Sequence, residues 1–138
     1  MQISALDHVS LVSTNLERSI AFYRDILGLR QIQRPAFKGA GAWMASGTLE
    51  IHLTSNPAGH LRPLPEIDTS DIHFAARVAD FNAMRKHLGA HGYSEELPSG
   101  NPKRLYFRLE GPAPYLQCYL LDPDNHLIEI NNAPVKVS

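Results

Sequence analysis

The chain has 138 residues, 43% hydrophobic and 20% charged, a balance that suits one folded globular domain and excludes a disordered tail. Thirteen Lys and Arg against fourteen Asp and Glu leave a net charge of −1, which offers no general attraction to nucleic acid or to an anionic membrane. No apolar run approaches the ~20 residues of a membrane span, and the single cysteine, Cys118, excludes an intramolecular disulfide framework.

The N-terminal Met-Gln-Ile-Ser-Ala-Leu-Asp-His places no basic segment before an apolar run, so the expectation is a soluble cytoplasmic protein without a signal peptide. The segment LDHVSLVSTNLERSIAFYRDILG (6–28) then opens with a short strand containing His8 and continues into a helix. Thr14-Asn-Leu-Glu17 fits a capping box, Leu16, Ile20, Tyr23 and Leu27 recur at helical spacing, and Gly28 ends the helix. Strands are expected near 29–34, 40–46 and 48–54. The stretch 55–70 is rich in proline and turn residues and reads as a linker.

A second strand-plus-helix segment, SDIHFAARVADFNAMRKHLGAHG (70–92), repeats the first. Asp80 is its expected N-cap, Phe81, Met84 and Leu88 its buried stripe, and Gly92 its end. Strands are expected near 103–110, 115–121 and 126–131, the last two joined by a tight turn at Asp122-Pro-Asp-Asn125. The organisation is therefore strand, helix and three strands, used twice: module one about 3–54, a linker about 55–70, and module two about 71–131.

Because strand residues alternate between faces, each strand splits into an apolar and a polar set. Val9 and Leu11 oppose His8 and Ser10; Leu49, Ile51 and Leu53 oppose Glu50, His52 and Thr54. Ile72, Phe74, Ala76 and Val78 oppose His73, Ala75 and Arg77; Leu105, Phe107 and Leu109 oppose Arg104, Tyr106 and Arg108. Leu116, Cys118 and Leu120 oppose Gln117 and Tyr119, and Ile128 and Ile130 oppose Glu129. The apolar faces are what two amphipathic helices would cover. The polar faces carry histidine at matching positions of both repeats, with carboxylates and aromatics, a choice that favours a cleft over a solvated surface. His8, His73 and Glu129 are candidate metal ligands there, since two imidazoles and a carboxylate suit Zn²⁺, Fe²⁺, Ni²⁺ or Mn²⁺ and leave positions for water or substrate.

Asp7-His8-Val9-Ser10, Ser19-Ile-Ala-Phe-Tyr-Arg-Asp-Ile-Leu-Gly28, Asp71-Ile-His73 and Asp122-Pro-Asp-Asn-His-Leu-Ile-Glu129 resemble the vicinal-oxygen-chelate superfamily. Arg34-Pro-Ala-Phe37, Gly41-Ala-Trp43 and Ile51-His52-Leu53 look most like small glyoxalase-I-like proteins. The resemblance implies an α+β fold of paired βαβββ modules forming an incomplete barrel around one divalent metal, in a homodimer whose clefts draw on both chains. By the module repeat, His52 stands where Glu129 stands in module two, so the implied ligand set is His8, His73, Glu129 and His52. Glyoxalase I has glutamate at that position, and Glu50, on the same face, is the second choice for it.

Three functions compete. A metal-dependent glyoxalase-like isomerase or lyase removes a proton beside a carbonyl, with Glu129, Glu50 or His52 as base. An Fe(II) extradiol-type dioxygenase would use the two histidines and Glu129, with His52 or Tyr119 as acid or base. A metal-free binding protein of the bleomycin-resistance type would not need the three ligands together. The first is the expectation, acting on a small oxygenated and anionic molecule held by Arg77, Arg104 and Arg108 with Gln117 beside them.

Overall fold

In the computed structural model, which describes residues 1–47, 49–59 and 62–136, the chain divides into two compact units, Met1–Leu61 and Arg62–Ser138. The division falls within the expected linker, of which His60 and Leu61 lie outside the described residues. Each unit is a βαβββ motif with one four-stranded mixed sheet, the α+β architecture that the repeat predicts.

In unit one, β1 (His8–Ser13), α1 (Leu16–Ala21), β2 (Arg30–Ile32), β3 (Gly41–Ser46) and β4 (Leu49–Ser55) give the strand order β1-β4-β3-β2. β1 runs parallel to β4 and the other pairs are antiparallel. The register sets Val9 beside Ile51 and Leu11 beside Leu53, with Ala42 and Met44 on the same side. α1 packs against β3 and β4 and continues as a π-helical turn, Phe22–Ile26, which buries Phe22 and Tyr23. The cap is Asn15, not Thr14. Asn15 is extended (φ −140°, ψ 100°) and its side-chain oxygen accepts from the Arg18 amide at 3.1 Å, whereas Thr14 accepts from the Arg18 guanidinium. The wider turn closes through Leu27 N–H to Phe22 carbonyl, 3.2 Å, and Gly28 leaves it at φ +71°.

Unit two repeats the plan with β5 (His73–Arg77), α2 (Phe81–Ala90), β6 (Tyr106–Arg108), β7 (Gln117–Leu121) and β8 (Leu127–Asn131), in the order β5-β8-β7-β6. Phe81, Met84 and Leu88 are buried, and Phe81 meets Phe107 of β6 edge to face at 6.2 Å. Asp80 caps α2, its carboxylate accepting from the Ala83 amide at 2.9 Å. Two expected strands are shorter than their sequence pattern. Ile72 is 80% exposed and precedes β5, because its amide goes to Asp71 and its carbonyl accepts from Arg62. Arg104 and Leu109 lie outside β6; Arg104 follows a turn in which Asn101 accepts from the Lys103 and Arg104 amides, and it forms an isolated bridge with Ser94 instead of joining the sheet. The β7–β8 turn is as predicted: Asp122 accepts from the Asp124 and His126 amides, both at 2.9 Å, and Asn125 adopts φ 65°.

Cys118 is fully buried, and burial pushes its thiol up to about 12, which makes it a structural residue. Among the described residues, no helix is long and apolar enough to cross a membrane.

The Asp80 cap starts α2, the helix whose Phe81 packs on β6 of unit two. Asp80→Ala should cost about 1 kcal/mol of stability in denaturant unfolding, with Asp80→Asn close to the parent. Equal midpoints for Asp80→Ala and the parent would show that the cap carries no weight.

Candidate functional site

Sheet register decides which side chains meet on the polar face of unit two. Ala75 pairs with Glu129, Glu129 with Tyr119, Gln117 with Asn131 and Arg108 with Gln117, so these residues and His73 share one side. Glu129 is only 6% exposed, and a carboxylate so buried needs several donors. Its Oε1 accepts from Gln117 Nε2 at 3.1 Å and Asn131 Nδ2 at 2.8 Å, and its Oε2 accepts from the Tyr119 hydroxyl at 3.2 Å. His73 Nε2 stands 3.5 Å from Oε2. Burial pushes the Glu129 carboxyl up, but the hydrogen bonds from Asn131, Gln117 and Tyr119 and the nearby His73 outweigh it, and the acid is held below its ordinary range. Tyr119 moves the other way: burial and the adjacent carboxylate raise its phenol.

His73 is oriented from behind. Its Nδ1 is 2.7 Å from the Asp71 carbonyl, an acceptor, so the proton sits on Nδ1 and Nε2 is left facing Glu129. Asp71 is in turn held by Arg62, whose Nε donates to it at 2.6 Å and whose other nitrogens reach the Ile72 and Asn125 carbonyls. Two acceptors, Nε2 and a carboxylate oxygen, therefore face each other across 3.5 Å. Such a gap needs a proton or a cation, and the arrangement of an imidazole backed by a carbonyl beside an ionised carboxylate is the donor chemistry of a divalent metal.

The polar face of unit one has a different character. The His52 ring lies between two others, stacked on Trp43 at 3.9 Å and 2° and on His8 at 3.9 Å and 13°. Its Nε2 is 2.7 Å from Glu50 Oε2, and His8 Nδ1 is 2.8 Å from Asp7. These residues open on a cavity of about 450 Å³ with Phe37 and Arg34, the guanidinium lying 5.0 Å from the Phe37 ring. Gly41 is needed there, since a Cβ would come within 2.6 Å of the Leu53 carbonyl and 2.8 Å of Arg34.

Among the described residues, no three His, Cys, Asp or Glu side chains form a group placed to hold a metal ion. Within unit one the His8 and His52 rings are stacked and His52 Nε2 lies against Glu50. Within unit two, His73 Nε2 and Glu129 Oε2 stand 3.5 Å apart.

Gln117 and Tyr119, expected to meet substrate or protons, both donate to the Glu129 carboxylate, and Gln117 Oε1 is buried without a partner among the described residues. Arg104 is turned to the Leu97 carbonyl at 2.7 Å, Arg108 donates to Thr69, and Arg77 lines a cavity of unit two. Asn131 was not singled out from sequence. The signal for it was present, because it lies two residues beyond Glu129 on the same face.

Comparison with known proteins bears on the same residues. The family model described as the Glyoxalase/Bleomycin resistance protein/Dioxygenase superfamily matches residues 5–130. "Glyoxylase I 4" of Arabidopsis thaliana is 28% identical over 134 residues, covering 96% of this chain and 72% of the relative. "Glutathione transferase FosA" of Serratia marcescens is 26% identical over 129 residues, covering 94% and 81%. A crystal structure of a glyoxalase family protein from Bacillus anthracis superimposes with a TM-score of 0.75 over 97% of this chain and 98% of its own, at 22% identity, a likeness of fold.

The lowered Glu129 acid carries a sign. Its ionised form stabilises the fold above the ordinary carboxylate range, and that contribution is lost as pH falls through the lowered value. Glu129→Gln should therefore be less stable than the parent at neutral pH, with the difference shrinking through the acid range in urea unfolding. A difference that stays constant with pH would contradict an ionised Glu129.

Proposed function

The chain belongs to the Glyoxalase/Bleomycin resistance protein/Dioxygenase superfamily, and from that premise we propose that it is a divalent-metal-dependent enzyme of the glyoxalase type, an isomerase or lyase acting on a small oxygenated substrate. The observation that carries the proposal is the pair of His73 Nε2 and Glu129 Oε2, 3.5 Å apart, each with its other hydrogen-bonding capacity satisfied by the protein. A bound divalent cation supplies Lewis acidity toward a substrate carbonyl.

The protein's residues supply the rest. Gln117, Asn131 and Tyr119 keep Glu129 ionised, and Asp71 fixes the ring of His73. A carboxylate held below its usual range is a good ligand and a weak base, so the base role assigned to Glu129 passes elsewhere. We assign it to His52, whose Nε2–H is held by Glu50 and whose Nδ1 is left to take a proton from the carbon beside the carbonyl. The proposed ligands are His73 and Glu129, with His8 as the first-strand counterpart of His73. A dioxygenase would use the same cation and differ in its co-substrate. A metal-free binding protein would have no use for a buried carboxylate kept charged.

We also propose a homodimer, since β1 and β5 are edge strands entered by the exposed apolar residues Leu6 (84%) and Ile72 (80%). Light scattering should give twice the chain mass at micromolar concentration, and a monomer would contradict it.

Metal analysis tests the function most simply. Protein purified without chelator should carry a divalent metal, and His73→Ala and Glu129→Gln should each weaken its binding roughly tenfold or more. His52→Ala should keep its metal. Unchanged metal content in the first two variants would refute the site, and loss in His52→Ala would return His52 to the ligands.

A further inference from the structure

The polar face of unit two extends past Glu129 into a cavity of about 420 Å³. Arg77, at the end of β5, and Lys136, in the chain beyond β8, line it, and among the described residues no carboxylate does. Among the described residues, neither cation makes a hydrogen bond or ion pair. Both are exposed to solvent, and together they give this wall a positive charge that attracts an anion. Hydrogen-bonding groups for such an anion are at hand in the Tyr115 hydroxyl and the Asn131 amide, while Ala75 and Ala76 leave the space open. The volume is within the range of small-molecule sites.

Asn131 ties this cavity to the carboxylate. It pairs with Arg77 across the β5–β8 ladder, donates from Nδ2 to Glu129 Oε1 at 2.8 Å, and accepts at Oδ1 from the Ala133 amide at 3.1 Å. A ligand held by Arg77 and Lys136 therefore sits against a residue that touches Glu129. The other two arginines expected to take this role are already engaged, Arg104 by the Leu97 carbonyl and Arg108 by Thr69.

We propose that this cavity binds the oxyanion group of a small molecule, a phosphate, phosphonate or carboxylate, with Arg77 and Lys136 as its counter-ions. As the seat of the substrate's anionic end it rests on the function proposed above; as a binding site it stands without a metal.

The test is a titration of chelator-treated protein with inorganic phosphate, and separately with acetate, at constant ionic strength made up with chloride. Backbone and side-chain amide resonances are followed by NMR. Saturable shifts are expected at Arg77, Asn131 and Ala133. Arg77→Ala and Lys136→Ala should each weaken phosphate binding roughly fivefold or more, and the double variant should abolish it. Tighter phosphate than acetate assigns a tetrahedral oxyanion, and the reverse assigns a carboxylate. Absent shifts, or phosphate binding unchanged in the double variant, would overturn the site. Because metal content is not read, this failure leaves the metal assignment standing, and loss of the metal assignment leaves this site standing.

Discussion

A buried carboxylate is the constraint around which unit two is arranged. Glu129 lies in β8, flanked along the chain by Ile128 and Ile130, and taking its charge out of water costs several kcal/mol without compensation. The compensation comes from alternate positions of the same strand and its neighbour. Asn131 is two residues along β8, while Tyr119 and Gln117 are the facing residue and its next neighbour on β7. A one-residue slip of β7 against β8 would turn Tyr119 and Gln117 to the helix side, so the register that buries Ile128 and Cys118 is the same register that satisfies Glu129.

The two units use one template for different chemistry. In unit two the fourth strand offers a carboxylate, and the first-strand histidine turns its free nitrogen to it. In unit one the corresponding fourth-strand residue is His52, which gives up its Nε2 to Glu50 and its two faces to Trp43 and His8. The fourth-strand position carries a buried carboxylate in one unit and an oriented imidazole in the other. That division of labour is the physical ground for giving proton transfer to His52 and cation binding to Glu129.

Much of this was legible in the sequence because it follows from period-two alternation and from cap and turn chemistry. His73, Ala75, Arg77, Gln117, Tyr119 and Glu129 share the face that alternation assigns them, and Asp80, Gly92 and Asn125 act as their residue types predict. What was not legible depends on side-chain rotamers and on competition for hydrogen bonds. The shift of the cap from Thr14 to Asn15 turns on which oxygen reaches the Arg18 amide. The stacking of His52 between Trp43 and His8 depends on ring orientation across three strands. The arginines on strand-like stretches look equivalent in sequence, yet Arg104 bridges Ser94 and turns to the Leu97 carbonyl while Arg77 lines a cavity.

If Glu129 and His73 are a cation site, the nitrogen atoms of His73 must respond differently to metal. Long-range ¹H–¹⁵N correlation spectra of the histidine rings, recorded on chelated protein and after addition of Zn²⁺, report on each nitrogen separately. The account predicts that Nε2 of His73 moves to the metal-bound range while Nδ1 remains protonated against the Asp71 carbonyl. Both His73 nitrogens unchanged at saturating Zn²⁺ would contradict it.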